Sequence, residues 1–230
     1  MKKILGIDEA GRGPVLGDLF IGAVLCKPDQ IKILEQNGVK DSKKLSKIKR
    51  RDLYVLITKN CINYLVKRIS VETIDNNIKL ASKKNLNILE KEVMCEIIEE
   101  MQPDEVYIDA ISNNPKKFRS EIIDYLNSKR KLLKVPIIIA ENKADSAYII
   151  VGAASIIAKV ERDNSINLYR KEYEMYGNIG SGYPSDKYTI EFLKNYIKKE
   201  HELPKIARKS WETSINLMNE IIQQRKIDDC

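Results

Sequence analysis

Two apolar runs in this chain end in the same way. "KKILGID" (2–8) and "DEVYID" (104–109) each have the pattern of a short buried strand closed by an aspartate, Asp8 and Asp109. Continuous apolar runs of this length read as strands covered on both faces, as in the parallel part of an α/β sheet. If the two strands are parallel neighbours, both carboxylates emerge at one carboxyl edge, where open α/β sheets carry their sites. Two carboxylates brought close together repel and hold a proton unless a cation neutralises them. Ligand sets made only of oxygen favour Mg2+ or Mn2+ over zinc.

The rest of the chain supplies the remaining layers. "GDLFIGAVLC" reads as a second strand able to pair with the first as a hairpin, and "CINYLVKRIS" as a third, half-exposed one. "KVPIIIAE" is a further strand after "DEVYIDA". "SKIKRRDLYVLITKN" has helical spacing with Ser46 as its N-cap. "NLNILEKEVMCEIIEEM" predicts an amphipathic helix with Leu86, Leu89, Val93 and Ile97 on one face. "PKKFRSEIIDYLNSK" predicts another helix, with Pro115 in its first turn. A long helix is expected from about Ser146 to Tyr173, then the glycine-rich loop "GNIGSGYPSD", then helix to the end with a break at Pro204. A run of strands followed by strand–helix alternation predicts a mixed α/β sheet, antiparallel first and parallel later. The expected division is a catalytic domain over 1–185 and a C-terminal helical segment over 186–230.

Composition narrows the function classes. The 40 Lys and Arg exceed the 33 acids, for a net charge of +7. That suits a polyanionic partner, although charge speaks to association and not to fold. Cys26, Cys61, Cys95 and Cys230 form no CxxC pair, which disfavours a zinc site or disulfide framework and fits a cytoplasmic protein. The single histidine, His201, lies in "KKEHELPK" and reads as a surface residue, so a histidine-based triad is disfavoured. No run is long enough to span a membrane.

Further acids stand near the two strand ends. Asp145, in "AENKADSAY", follows the last strand and is a third candidate; taken by itself it reads first as a helix N-cap. Glu9 follows Asp8 and joins it only if the chain turns there, which Gly11 and Gly13 permit. Asp163, in "KVERDNS", is an alternative to Asp145, or else a surface ion pair. Four carboxylates around one point would suit two metal ions and phosphodiester hydrolysis. Arg12 sits between the glycines without a Lys-Ser/Thr pair after it, so a nucleotide-binding P-loop is disfavoured. "KDSKKLSKIKRR" is a basic cluster that reads as a solvated helix start or a phosphate contact. Tyr183, in "GSGYPSD", is either a packed turn residue or a platform for a sugar or base.

Taken in order, "GIDEAGRGPVLG", "KDSKKLS", "YIDA", "KADSAY", "AASIIAKVERD", "GSGYPSD" and "RKSWET" resemble ribonuclease HII, the type 2 ribonuclease H family, in its archaeal form. The resemblance covers nearly the whole chain. It implies the ribonuclease H-like fold: a five-stranded mixed sheet flanked by helices, with a C-terminal helical appendage. It implies a metal-dependent endonuclease that cuts the RNA strand of RNA–DNA hybrids. It also implies incision 5′ of ribonucleotides embedded in duplex DNA, leaving 5′-phosphate and 3′-hydroxyl ends, in DNA replication and repair. Asp8, Glu9, Asp109 and Asp145 then correspond to the metal-binding catalytic acids, served by Mg2+ or Mn2+. Gly11, Arg12 and Gly13 correspond to the loop that reads the ribose 2′-hydroxyl, Tyr183 to the residue that packs on the adjacent deoxyribose, and Lys43 and Lys44 to phosphate contacts. Asp18, Asn142 and Gly152 depart from the family's pattern. A monomer is expected, and no sliding-clamp motif is evident in the tail "QQRKIDDC".

Overall fold

The strand that carries Asp8 is the middle of the sheet, and it runs two residues beyond the aspartate. In a computed structural model, which describes residues 2–39, 45–79, 86–129 and 134–228, β1 (Ile4–Ala10) pairs antiparallel with β2 (Leu19–Cys26) and parallel with β4 (Glu105–Asp109). β3 (Asn63–Ile69) neighbours β2, and β5 (Ile137–Glu141) pairs parallel with β4, giving the order β3-β2-β1-β4-β5. This is the expected five-stranded mixed sheet flanked by helices.

The chain forms two compact units. The first comprises Met1–Ala10, Phe20–Arg68 and Asn85–Glu161. It holds the body of the sheet with α1 (Pro28–Gln36), α2 (Lys47–Asn60), α4 (Leu86–Met101), α5 (Pro115–Lys129), the four-residue α6 (Ala144–Ala147) and the start of α7 (Ile149–Glu172). Ser46 caps α2 by accepting from the Lys49 amide, as its sequence predicts. The core of this unit gathers Val24, Leu53, Ile57, Val151, Ala154 and Ile157. The helix α7 lies unusually close to the sheet because two strand positions lack side chains. A Cβ at Gly6 would stand 2.2 Å from the Ile150 carbonyl oxygen, and one at Gly22 2.5 Å from that of Ala154. The small residues of "GAASIIAK" make the matching surface on the helix.

The second unit comprises Gly11–Leu19, Ile69–Lys84 and Arg162–Cys230. It contains α3 (Val71–Lys79), the later part of α7, α8 (Lys187–Glu200) and α9 (Glu212–Asp228). Its core joins Leu16, Ile166, Ile179, Phe192, Ile197 and Leu217. Tyr173 and Phe192 of this core form an aromatic cluster with Tyr176 and Tyr196, which pack against it.

The elements differ from the sequence expectation in three respects. The long helix does not start at Ser146: Tyr148 is extended and separates α6 from α7. The buried stripe of α4 runs through Glu90, Met94, Ile97, Ile98 and Met101, while Leu86, Leu89 and Val93 are half-buried. A fully buried glutamate stands where the periodicity calls for an apolar residue, so the pattern pointed one position aside. The helices α1 and α3, each of nine residues, were not expected. His201 is exposed and ends α8 in a left-handed conformation. Cys26, Cys61 and Cys95 are free thiols.

Candidate active site

The parallel register explains how the acids meet. Ile7 stands opposite Ile108, so the next residues, Asp8 and Asp109, leave neighbouring strands at the same edge. Side chains alternate along a strand, so Asp8 shares a face with Gly6 and with Gly22, its partner across β2. That is the face covered by α7. Here the Ser155 hydroxyl of α7 donates to the Asp8 carboxylate, and the Glu9 amide donates to Asp8 Oδ1 at 2.8 Å. Ser155 is completely buried. It is the one polar side chain in "GAASIIA", and that isolation was the available sequence signal for a role beyond packing.

The third acid comes from the turn after β5. Asn142 is exposed, and Lys143 adopts a left-handed conformation (φ 61°) that turns the chain into α6. The Ala144 amide donates to Asp109 Oδ1 at 3.1 Å, tying this turn to the end of β4. Asp145 is the second residue of α6, and Lys143 is its N-cap, so the N-cap reading of Asp145 is overturned. Asp145 is only 2% exposed. Asp8, Asp109 and Asp145 each offer a carboxylate oxygen, and these atoms lie within 4.8 Å of one another.

Glu9 is not in that group of three. The strand β1 stays extended to Ala10, so the turn that would bring Glu9 to the Asp8 face does not occur there. Its charge still reaches Asp8. Burial, then the negative charge of Glu9, hold the Asp8 carboxyl well above the ordinary carboxylate range, against the lowering effect of the Ser155 bond; Asp109 adds to the rise. Asp163 is also outside the group of three, paired with Arg162 at 3.3 Å.

The glycine loop and Tyr183 belong to the second unit. Gly11 has φ +90°, and a Cβ there would meet the Asp18 carbonyl at 2.7 Å, so the position requires glycine. Arg12 is half-buried and Gly13 exposed. A Cβ on Gly13 would touch the Tyr183 ring at 3.5 Å, ordinary contact. Tyr183 is 39% exposed, with the Arg162 guanidinium 5.4 Å from its ring centre. Its loop is well fastened. Arg162 donates to the Ser181 carbonyl, Arg170 to that of Gly180, and the Val15 and Leu16 amides donate to that of Gly182. Asp18 has a structural account as well: it accepts from the Val71 amide and the Tyr169 hydroxyl, both at 2.9 Å. Lys43 and Lys44 lie outside the described residues. Among the described residues, no helix is long and apolar enough to cross a membrane.

Comparison with known proteins places the chain in a family. Residues 5–214 match the family model described as Ribonuclease HII. A ribonuclease HII of Methanococcus maripaludis strain C7 is 45% identical, with the match covering 97% of this chain and 90% of that protein. The ribonuclease H2 crystal structure from Pyrococcus horikoshii OT3 superimposes with a TM-score of 0.85 at 36% identity, covering 96% of this chain and 99% of that one. The RNase HII in a PCNA complex from Archaeoglobus fulgidus gives 0.80 at 37% identity, covering 93% and 96%. The chain belongs to the ribonuclease HII family and is a hydrolase of the ribonuclease H type.

Proposed function

We propose that this ribonuclease H, which cuts the RNA strand of RNA–DNA hybrids, also incises duplex DNA on the 5′ side of an embedded ribonucleotide, leaving 5′-phosphate and 3′-hydroxyl ends. The observation that carries the reading is the convergence of Asp8, Asp109 and Asp145 within 4.8 Å. The donor set fits a hard divalent cation: it is all oxygen, and the Asp8 carboxyl is pushed above its ordinary range by burial and by neighbouring negative charge that a cation would offset. Asp8, Asp109 and Asp145 would hold the metal, Mg2+ or Mn2+, with Glu9 as the fourth acid. Bound there, the metal supplies a Lewis acid for the phosphate and lowers the pKa of a water.

The chain's own residues supply position and discrimination. Ser155 fixes one carboxylate, and the Ala144 amide another. Gly11, Arg12 and Gly13 follow β1 directly in sequence, and the two glycines leave their backbone clear of side chains, which suits close approach to a ribose 2′-hydroxyl, the group that distinguishes RNA from DNA. The half-exposed ring of Tyr183 packs on the neighbouring deoxyribose, and Lys43 and Lys44 contact phosphates. The enzyme acts as a cytoplasmic monomer.

Site-directed variants test the reading. Asp8→Asn, Asp109→Asn and Asp145→Asn should each abolish cleavage while duplex binding persists, and Asp163→Asn should stay within a few-fold of the native rate. Tyr183→Ala should lose selectivity for the RNA–DNA junction more than affinity for plain duplex. Full activity of Asp145→Asn alongside an inactive Asp163→Asn would overturn the assignment.

A further inference from the structure

The largest fully buried side chain among the described residues is Arg208, in the segment between α8 and α9. A charge removed from water must be met by hydrogen bonds. Three backbone carbonyls of the 11–17 loop do so: Nε donates to Gly17 at 2.9 Å, Nη1 to Arg12 at 2.8 Å, and Nη2 to Gly11. The guanidinium also lies 4.7 Å from the Trp211 ring centre. We infer that Arg208 is a positioning residue, whose fork sets the orientation of the Gly11 and Arg12 peptide planes and thereby the substrate-facing side of the loop. The inference builds on the proposal that this loop reads a 2′-hydroxyl.

The geometry of the trans peptide carries the argument. In such a unit the carbonyl and the amide of the next residue point in opposite directions. With the Gly11 and Arg12 carbonyls drawn onto Arg208, the amides of Arg12 and Gly13 face away from it. Two successive amides directed to one side form a donor pair suited to an oxygen ligand. The buried positive charge at the carbonyl ends reinforces the same polarity.

Arg208 is itself held in place. Its amide donates to the Val15 carbonyl, and the Gly17 amide donates to the Ile206 carbonyl, so residues 15–17 run against 206–208 as a short ladder. Buried Asp75 of α3 accepts from the Lys209 amide at 2.9 Å, the Ser210 amide at 3.0 Å and the Ser210 hydroxyl at 2.6 Å. Lysine would keep the charge but lose the planar fork, so Arg208→Lys separates charge from geometry.

The test has two arms. Arg208→Lys and Arg208→Gln are compared with native enzyme on a DNA duplex carrying one ribonucleotide, with Mn2+ binding titrated in parallel. A group held about 1 Å out of place costs roughly 100-fold in rate. The expected result is a kcat lowered about 10- to 100-fold in both variants, KM within about threefold, Mn2+ affinity unchanged, and faster amide exchange confined to residues 11–17 and 206–208. A native kcat in Arg208→Lys, or equal loss of Mn2+ binding, would overturn the positioning role. The second arm needs no variant: NMR of the native protein should show slowly exchanging Arg208 guanidinium protons, and exchange as fast as that of surface arginines would overturn the inference. Native enzyme that makes no cut at the ribonucleotide would refute the functional reading instead, while the guanidinium and amide measurements still decide the anchoring.

Discussion

On the proposed assignment, Asp8 is the residue on which the chemistry and the stability of this protein meet. Its folded-state pKa lies above the ordinary value of 3.8 because it is buried and flanked by Glu9 and Asp109. A carboxyl raised in this way favours the folded state only while protonated. The cation-free protein should therefore lose stability as the pH rises from about 3.8 through the raised value. Unfolding midpoints measured against pH in chelator should show that fall in the native protein and a flatter profile in Asp8→Asn; identical profiles would contradict the assignment. Asp8 and Asp109 were legible in sequence because each closes an apolar run, a local pattern. Asp145 was ambiguous, since a cap and a ligand have the same residue type, and only the left-handed turn at Lys143, which takes the N-cap position, excludes the cap. Ser155 and Arg208 were not assigned at all. Their partners, Asp8 and the Gly11 and Arg12 carbonyls, lie far along the chain, and no local pattern encodes such contacts.

At the scale of elements, the approach of α7 to β1 and β2 decides whether Ser155 reaches Asp8. Gly6 and Gly22 make that approach possible. Gly6→Ala would drive a methyl group into the Ile150 backbone, and overpacking of this kind costs about 1–3 kcal/mol. Denaturant unfolding should show that loss, and cleavage should fall with it because α7 has to move. A variant with native stability and rate would show that the close contact is dispensable. The strands were legible because alternating or continuous apolar runs bounded by Gly, Asp and Pro leave few alternatives. The break at Tyr148 was not, because no glycine or proline marks it in "DSAYII" and the neighbouring turn is tied to Asp109, distant in sequence. The face of α4 was misread because a buried glutamate occupies its stripe.

For the molecule as a whole, the order of strands and helices in the sequence was enough to predict a mixed sheet, antiparallel first and parallel later, and the family resemblance implied its five strands. The grouping into compact units was harder to foresee, since residues Gly11–Leu19 and Ile69–Lys84 belong with the C-terminal helices and not with their neighbours in sequence. Metal binding should be visible globally. A cation that binds only the folded state at a hundred times its Kd adds about 2.7 kcal/mol. For a chain of this length that raises the midpoint by roughly 5–10 °C. Mn2+ should produce such a rise in the native protein and much less in Asp109→Asn, as read by calorimetry; equal rises would move the cation elsewhere. The most direct measurement of the central claim uses a labelled DNA duplex with a single ribonucleotide, incubated with and without Mg2+ or Mn2+, with the cut mapped at nucleotide resolution. The account predicts one metal-dependent incision on the 5′ side of the ribonucleotide; an intact duplex, under conditions where the same enzyme cuts an RNA–DNA hybrid, would contradict it.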